Sequence, residues 1–352
     1  MAIPRITAIA TAVPDLDVHA HYSAWAETQL SEERQRAAFA RMIARGGIDH
    51  RWSVLSPEDG QLEPGSFYNA GGPPGTAERM RRYAEAAPDL ALKAIAKLPN
   101  LSGITHLVLA SCTGFMAPGL DQVIARRLGL AANVERSVIG FMGCYAGITA
   151  LRSAAHLVRS VHDARVLVIS VELCTLHMQH TDNIEALLAM SQFADGAAAA
   201  LVTGDGAGLA LGDGVSATLE ESEELITWAI TDTGFAMHLS GAVPGRFGDA
   251  LGDPALTSQI IGTRSAHDIV QWAVHPGGRS VLDAVERGLA LSPDALTTSR
   301  DVLREFGNMS SATVIFVLER LMAKRPESGV AMAFGPGLAL EGLHFGWAND
   351  AG

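Results

Sequence analysis

The sequence is poor in cysteine and in positive charge. Three cysteines in 352 residues are too few and too scattered for a disulfide framework, which fits a reducing compartment. The 26 lysine and arginine residues face 38 acidic ones, for a net charge of −12, and the chain lacks the basic footprint of a nucleic-acid-binding protein. No apolar run reaches the ~18 residues of a membrane helix, and residues 1–13 lack a signal-peptide core. We therefore expect a cytoplasmic protein without integral membrane association.

Aromatic side chains are also scarce, so small apolar residues must fill the core. The chain is 48% hydrophobic but only 6% aromatic, and it contains 36 glycines. Packing by alanine, valine, leucine and glycine is typical of a tightly layered α/β protein. The length suits one large domain or two fused ones.

Short apolar runs alternate with amphipathic stretches, which predicts alternating strands and helices. We expect strands at residues 5–12, 105–111, 165–171, 197–202, 208–211, 272–274 and 330–334. We expect helices at residues 21–48, 76–98, 119–128, 182–193, 279–290 and 312–323.

The stretch Val138–Leu151 predicts a strand, a glycine-rich turn with Cys144 at its tip, and a helix. After the turn, apolar residues recur at steps of three and four, as in an amphipathic helix: Ile148, Leu151, Ala155 and Val158. A cysteine at a helix N-terminus meets unsatisfied N–H groups and the positive end of the helix dipole, and both favour a nucleophilic thiolate. The alternative interpretation is a small buried core cysteine.

Features of the first half recur in the second half at nearly one offset. Cys112 and His275 are 163 residues apart, Cys144 and Asn308 are 164 apart, and the strand at 166–170 moved by 164 falls on the strand at 330–334. This indicates an internal duplication, with a half at 1–212 that carries the nucleophilic cysteine and a half at 213–352 that carries the histidine and asparagine. Reactive residues of such folds lie at strand ends and helix starts.

Cys144, His275 and Asn308 together suit Claisen chemistry. An imidazole can pair with a thiolate and move its proton, and a carboxamide adds a neutral N–H donor for an enolate. Cys144 would carry an acyl group while His275 and Asn308 hold a malonyl thioester that loses carbon dioxide. Each residue also has a structural alternative, since His275 could be a turn histidine and Asn308 could cap the following helix.

Four motifs carry a resemblance to a known family: Gly143-Cys144-Tyr145-Ala146-Gly147, His275-Pro276-Gly277-Gly278, Gly307-Asn308-Met309-Ser310-Ser311 and Phe334-Gly335-Pro336-Gly337-Leu338. In this order and over nearly the whole length, the chain resembles the type III polyketide synthases, which are chalcone- and stilbene-synthase-like enzymes. Thiols at Cys112 and Cys174, with His177, resemble the bacterial branch. Plain packing is the alternative role of these three side chains.

The resemblance implies a thiolase-like fold, with two duplicated halves in α-β-α-β-α layers, and a homodimer. It also implies CoA thioester substrates without a separate cofactor or metal, and a catalytic set of Cys144, His275 and Asn308. The substrate pocket and its gatekeepers would include Phe193, Met237, Cys112, Cys174, His177, Ser310, Phe334, Gly335 and Pro336. The CoA contacts would include Arg41, Arg45 and Gly278.

The product is open among several members of the family. The segment 171–179 and a flexible methionine at the second gate favour a fatty acyl-CoA starter, extended with malonyl-CoA to an alkylresorcinol or alkylpyrone. A malonyl-CoA-only synthase of the tetrahydroxynaphthalene or phloroglucinol type, and a single-round ketoacyl-ACP synthase III-like enzyme, are alternatives. The starter, the number of extensions, the ring closure and delivery by an acyl carrier protein depend on the cavity rather than on the motifs.

Two hypotheses from other classes also remain. Cys144 and His275 could form a cysteine hydrolase, which would release free acid without making a carbon–carbon bond. Cys112, Cys174, His177 and His180 could belong to a non-catalytic acyl-binding module or a metal site, although they lack the paired Cys-x-x-Cys spacing of structural zinc.

Overall fold

The computed structural model describes residues 2–262 and 264–350, which fold into an α/β protein. The strands are β1 (Arg5–Ala12), β2 (Leu16–Asp17), β3 (Trp52–Ser53), β4 (His106–Ser111), β5 (Glu135–Gly140), β6 (Val166–Leu173), β7 (Asp195–Thr203), β8 (Gly208–Thr218), β9 (Ile226–Thr231), β10 (Gly234–Leu239), β11 (Gln271–Val274), β12 (Gly329–Gly335) and β13 (Ala339–Ala348). The helices are α1 (His19–Gln29), α2 (Glu33–Arg45), α3 (Pro57–Gly60), α4 (Thr76–Ile95), α5 (Leu120–Arg127), α6 (Ala146–Ser160), α7 (Ile184–Met190), α8 (Val243–Leu251), α9 (Pro254–Ile261), α10 (Arg279–Gly288), α11 (Thr297–Phe306) and α12 (Thr313–Met322). None of these helices is long and apolar enough to cross a bilayer.

The helix expected over residues 21–48 is in fact two helices, α1 and α2. The chain becomes extended at Leu30 and again at Glu32. The guanidinium of Arg36 reaches back and donates to the carbonyl oxygens of Leu30 and Ser31, at 2.7 and 2.8 Å. This side chain replaces the hydrogen bonds that a continuous helix would have made.

Nine strands form one mixed sheet in the order β11-β12-β13-β8-β1-β7-β6-β4-β5. The quartets β4-β6-β7-β1 and β11-β12-β13-β8 share one pattern, a parallel pair followed by two antiparallel pairs. They meet at the antiparallel pair β1–β8. The predicted duplication is therefore confirmed, with Cys112 after β4 and His275 after the equivalent strand β11. The division at residues 212 and 213 falls inside β8 and stays a prediction.

The strands divide the hydrophobic core into three layers, because successive side chains point to opposite faces. In β6, Val166 and Val168 join a central cluster with α6 and α12, whereas Leu167 and Ile169 join an outer cluster with α1, α2, α4 and α5. The side chains of β12 divide in the same way between the central cluster and a second outer cluster with α8 to α11. Each quartet of strands therefore acts as one sheet layer, and the layers alternate as helix, sheet, helix, sheet, helix, as the family resemblance implied.

The two halves meet closely where the first turn of α6 touches the turn before α12. A Cβ atom on Gly147 would lie 2.2 Å from the carbonyl oxygen of Ser311. We expect Gly147→Ala to lower the free energy of unfolding by about 1–3 kcal/mol, the usual cost of overpacking. Urea denaturation measures this change.

Gly248→Ala in α8 is the matched control. Its added Cβ would meet Ala284 Cβ at 3.6 Å, an ordinary contact. Because glycine inside a helix is less stable than alanine by roughly 0.5–1 kcal/mol, this variant should be neutral or stabilised. Equal destabilisation by both substitutions would contradict the close contact at Gly147.

Candidate active site

Cys144 lies in a 3₁₀ turn, Gly143–Tyr145, between the end of β5 and the start of α6. Gly143 has a φ of 78°, and a Cβ there would lie 2.5 Å from Pro336 Cδ. A Cβ on Gly335 would lie 3.3 Å from the backbone nitrogen of Cys144. The turn after β12 therefore packs directly on the turn that carries the thiol, and both turns need glycine.

The thiol of Cys144 is neutral at rest. Burial raises its pKa to about 12, although hydrogen bonds from Ser310 and Asn308 lower the pKa in part. Burial therefore opposes the thiolate that the helix N-terminus favours, since loss of hydration penalises the charge more than these donors stabilise it. Ionisation must therefore be coupled to transfer of the proton.

His275 follows β11, and its backbone N–H donates to the carbonyl of Met332 at 2.8 Å. The ring is 1% exposed, and neither ring nitrogen has a hydrogen-bond partner among the described residues. Burial lowers the pKa of the imidazole to about 3, so the ring is neutral near pH 7. A neutral imidazole has one acceptor nitrogen and one N–H donor, and both are available here to a substrate.

Asn308 is fixed by hydrogen bonds at both its backbone and its side chain. Its backbone N–H donates to Gln192 at 2.8 Å, and its carbonyl accepts from Ala194 at 2.9 Å. The side-chain Oδ1 accepts from the backbone N–H of Ser310 at 2.9 Å, and Nδ2 donates to the carbonyl of Gly277 at 3.1 Å. Since a carboxamide has two N–H donors, the second is directed at Cys144 and is shared between its thiol and a ligand bound there.

The structure brings Cys144, His275 and Asn308 together on the wall of one cavity of about 500 Å³, which we call the catalytic chamber. The end of β12 and the turn after it form another part of this wall, through Phe334, Gly335 and Pro336. An adjoining cavity of about 310 Å³, the inner chamber, is lined by 17 residues that include Cys112, Cys174, His177 and Ser310. Four residues line both chambers: Ala189, Phe193, Trp228 and Met237.

The wall between the chambers includes two residues of a β-hairpin. Trp228 on β9 and Met237 on β10 are direct cross-strand partners, so their side chains lie on one face. Phe193 comes from the turn after α7. Phe193 and Met237 were predicted as gatekeepers, whereas Trp228 was missed because the hairpin itself was not predicted.

A third cavity of about 650 Å³, the vestibule, adjoins the catalytic chamber, with which it shares Met42, Leu188, Gln192 and Ser280. Arg45 and Arg279 line it. Arg41 is exposed on the same helix as Arg45 but outside the vestibule wall. Gly278 precedes α10, where a Cβ would lie 2.1 Å from Gln192 Oε1. Of the three predicted CoA contacts, Arg45 is therefore the one on the wall of this entrance.

The polar groups of the inner chamber are engaged elsewhere. The ring nitrogens of His177 bond to the carbonyl of Thr113 at 2.7 Å and the N–H of Phe235 at 3.1 Å. Cys112 Sγ accepts from the backbone N–H of Gly143 at 3.0 Å, which supports the turn of Cys144. Within residues 2–262 and 264–350, no group of three or more His, Cys, Asp or Glu side chains could hold a metal ion.

Glu172 is a fully buried carboxyl behind the site, and sequence analysis gave it no role. It accepts hydrogen bonds from the N–H of Cys112 at 2.9 Å, from the hydroxyl of Thr113 at 2.8 Å and from the hydroxyl of Ser311. Burial nevertheless raises its pKa to about 7. A lone acid in the apolar strand β6 was the signal that could have revealed it.

This raised pKa predicts a pH-dependent stability. The contribution of Glu172 to the free energy of unfolding is fully present below its pKa of about 4.5 in the unfolded chain. It is lost as the pH rises through its pKa of about 7 in the folded protein. Glutamine does not ionise, so Glu172→Gln removes this loss. The difference in the free energy of unfolding, variant minus wild type, should therefore rise by about 2–3 kcal/mol between pH 4.5 and pH 8.5. Denaturant titrations of both proteins at the two pH values measure the difference. A difference that is independent of pH would contradict a raised pKa.

Comparison with known proteins agrees with this arrangement. Residues 3–206 match the N-terminal domain of chalcone and stilbene synthases, and residues 211–346 match their C-terminal domain. The chain is 33% identical to the alpha-pyrone synthesis polyketide synthase-like Pks18 of Mycobacterium tuberculosis, over 88% of this chain and 82% of the relative. It is 34% identical to bisdemethoxycurcumin synthase of Oryza sativa, over 87% and 82%.

Solved structures confirm the thiolase-like fold. The crystal structure of PKS-I from the brown alga Ectocarpus siliculosus superposes with a TM-score of 0.89 at 30% identity, and the match covers 99% of each chain. The chain therefore belongs to the chalcone and stilbene synthase family and is a type III polyketide synthase, an acyltransferase that joins acyl units by decarboxylative Claisen condensation.

Proposed function

We propose that Cys144 accepts an acyl group from a CoA thioester and that malonyl-CoA extends this group in repeated decarboxylative condensations. Cyclisation then gives an aromatic or pyrone product. The observation that carries the proposal is that Cys144, His275 and Asn308, which are far apart in sequence, line the same chamber.

Transfer of the acyl group from CoA to Cys144 begins with the Cys144 thiol and the His275 imidazole both uncharged. The acceptor nitrogen of His275 takes the thiol proton while the sulfur of Cys144 attacks the thioester carbonyl. The carbon–sulfur bond to CoA then breaks, and the imidazolium returns the proton to the departing CoA thiolate. Since thiol and imidazole are both neutral at rest, the transfer leaves the net charge of the chamber unchanged.

Extension uses the N–H donors of His275 and Asn308. They bind the thioester oxygen of malonyl-CoA, where negative charge develops as the bond to the carboxylate breaks and carbon dioxide leaves. The enolate carbon attacks the acyl group on Cys144, the bond from the acyl carbon to sulfur breaks, and the released thiolate takes a proton from water. The chain is now two carbons longer on CoA, and its return to Cys144 begins the next round. No resident cofactor is needed in this scheme.

The inner chamber supports a fatty acyl starter. Like the ring of His177, two hydroxyls of the lining already have hydrogen-bond partners. The hydroxyl of Thr175 bonds to Ser53 at 2.7 Å and to Asp195 at 2.6 Å, and the hydroxyl of Thr113 bonds to Glu172. These lining residues therefore present apolar surface to the cavity, which suits an aliphatic chain better than a polyketone. The relative that is named for alpha-pyrone synthesis supports a pyrone product.

Incubation with malonyl-CoA alone, and then with acyl-CoAs of increasing length, tests the proposal by mass spectrometry of the products. We expect products that carry the acyl chain plus several two-carbon units. Products from malonyl-CoA alone would favour a malonyl-only synthase. Turnover of malonyl-ACP but not malonyl-CoA would favour a ketoacyl-ACP synthase III-like enzyme, and free acid without a new carbon–carbon bond would favour a hydrolase.

Trp228→Ala is expected to join the two chambers. The measured quantity is kcat/KM for a long acyl-CoA starter divided by kcat/KM for a short one. Removing the indole from the shared wall should raise this ratio by about 10-fold or more. Trp347→Ala removes an equal side chain from β13, away from both chambers, and should leave the ratio unchanged. An unchanged ratio in Trp228→Ala would show that Trp228 does not limit the starter.

We also propose a cytoplasmic homodimer. All three thiols are free, as a reducing compartment would leave them. Phe115 and Phe141 follow the adjacent strands β4 and β5 and are 66% and 51% exposed, and Val138 on the edge strand β5 is 55% exposed. A second copy of the chain would cover this apolar face. Light scattering that gives a monomer mass would contradict the dimer.

A further inference from the structure

Arg51 is a completely buried cation close to the candidate active site. It lies just before β3, and its exposed fraction is 0%. Burial lowers its pKa only to about 10, so it is charged at neutral pH. Its guanidinium donates to His19 Nδ1 at 3.1 Å and stacks at 4.5 Å on the ring of Tyr22.

The other hydrogen bonds of the Arg51 guanidinium hold the turn that carries the gatekeeper Phe193. One nitrogen, Nη1, donates to the carbonyl oxygens of Met190 and Phe193, both at 2.9 Å. Met190 is the last residue of α7, where backbone carbonyls lack helical partners and the helix dipole favours a cation. Arg51 therefore fixes both ends of the turn from Met190 to Phe193.

The same turn is paired with Asn308. The backbone N–H of Asn308 donates to Gln192, and Phe193 and Asn308 form a parallel bridge. Arg51 also packs against the residue before Asn308, since its Cγ would lie 3.0 Å from a Cβ on Gly307. A displaced Arg51 would thus move the turn and Asn308 together.

We propose that Arg51 is a positioning residue that sets the carboxamide of Asn308 and the side chain of Phe193. This inference rests on the role of Asn308 under the proposed function. A planar, permanently charged fork can bond to two carbonyls and an imidazole while it stacks on an aromatic ring, and a lysine cannot do all of these at once. Arg51 acts through the turn and does not touch the reacting atoms.

Arg51→Lys tests the proposal. We expect kcat for decarboxylation of malonyl-CoA to fall on the order of 100-fold, because a small displacement of a catalytic group has that effect. The KM for malonyl-CoA and the rate of Cys144 alkylation by iodoacetamide should change little. The range of accepted starters should broaden as Phe193 moves.

Arg79→Lys is the matched control. Arg79 is also 0% exposed, donates to the carbonyls of Leu176 at 2.6 Å and Met178 at 2.9 Å, and stacks on Tyr68. Arg79→Lys should lower the free energy of unfolding by an amount similar to that of Arg51→Lys. It should leave kcat for decarboxylation of malonyl-CoA nearly unchanged. An equal fall of kcat in both variants, or a fall matched by equal loss of Cys144 alkylation, would overturn the proposal.

His19→Ala provides a milder second variant if Arg51→Lys does not fold. It removes one partner of Arg51, and kcat at saturating malonyl-CoA should fall in the same direction by a smaller factor. An unchanged kcat would overturn the positioning role. A wild-type enzyme that does not decarboxylate malonyl-CoA would instead contradict the proposed function, so the two failures are distinguishable.

Discussion

Replacing Cys144 with alanine is expected to abolish product formation from acyl-CoA and malonyl-CoA, at least on the order of 10⁴-fold. Among the described residues that line the catalytic chamber, Cys144 is the one thiol that could carry the acyl chain. Decarboxylation of malonyl-CoA should continue, because His275 and Asn308 still hold the thioester oxygen. Product yield and release of carbon dioxide are measured in parallel, with circular dichroism to show that the variant is folded.

Cys174→Ala is the control for loss of a thiol as such. Cys174 is partly buried in the wall of the inner chamber and separate from His275, so this variant should keep most of the activity. Product formation by folded Cys144→Ala, or equal inactivation by Cys174→Ala, would contradict the assignment of the nucleophile.

Asn308→Ala should lower kcat for decarboxylation by about 10²–10³-fold, the usual loss when one oxyanion-binding donor is removed. Acylation of Cys144 by the starter should persist, because it depends on the thiol and on His275. Rapid-quench measurement of acyl-enzyme formation, together with release of carbon dioxide, separates the two steps.

Asn308→Asp distinguishes this role from helix capping. The Oδ1 of Asn308 does accept a bond from the backbone of Ser310, as a cap would. Aspartate keeps that acceptor but lacks the N–H donor, so it should be about as inactive as alanine while being more stable. An active Asn308→Asp enzyme would mean that capping is the main role of this residue.

The sequence predicted the parts of the site that are set by local pattern. Glycines around Cys144 and the stripe from Ile148 to Val158 predicted a turn and a buried helix, and the structure contains both. The offset between Cys112 and His275 predicted equivalent strands. The turn and the helix depend on neighbours in the chain, and the duplication repeats the same local pattern in each half, so a single sequence contains enough information about them.

Features set by tertiary contact were missed or wrong. The protonation of Cys144 depends on burial by the second half of the chain, which a local dipole argument does not include. The hairpin of Trp228 was missed because half of the residues of β9 are exposed and this strand lacks a clear apolar alternation. Sequence analysis gave Arg51 no role, because its carbonyl partners lie about 140 residues away in sequence.

The central claim is that the acyl chain is carried on Cys144. The enzyme is mixed with an acyl-CoA without malonyl-CoA, quenched in acid and digested, and its peptides are weighed. We predict one acyl group, as a thioester, on the peptide that contains Cys144 and none on those that contain Cys112 or Cys174. An acyl group on another residue, or an active enzyme with no covalent adduct at any time, would contradict the account.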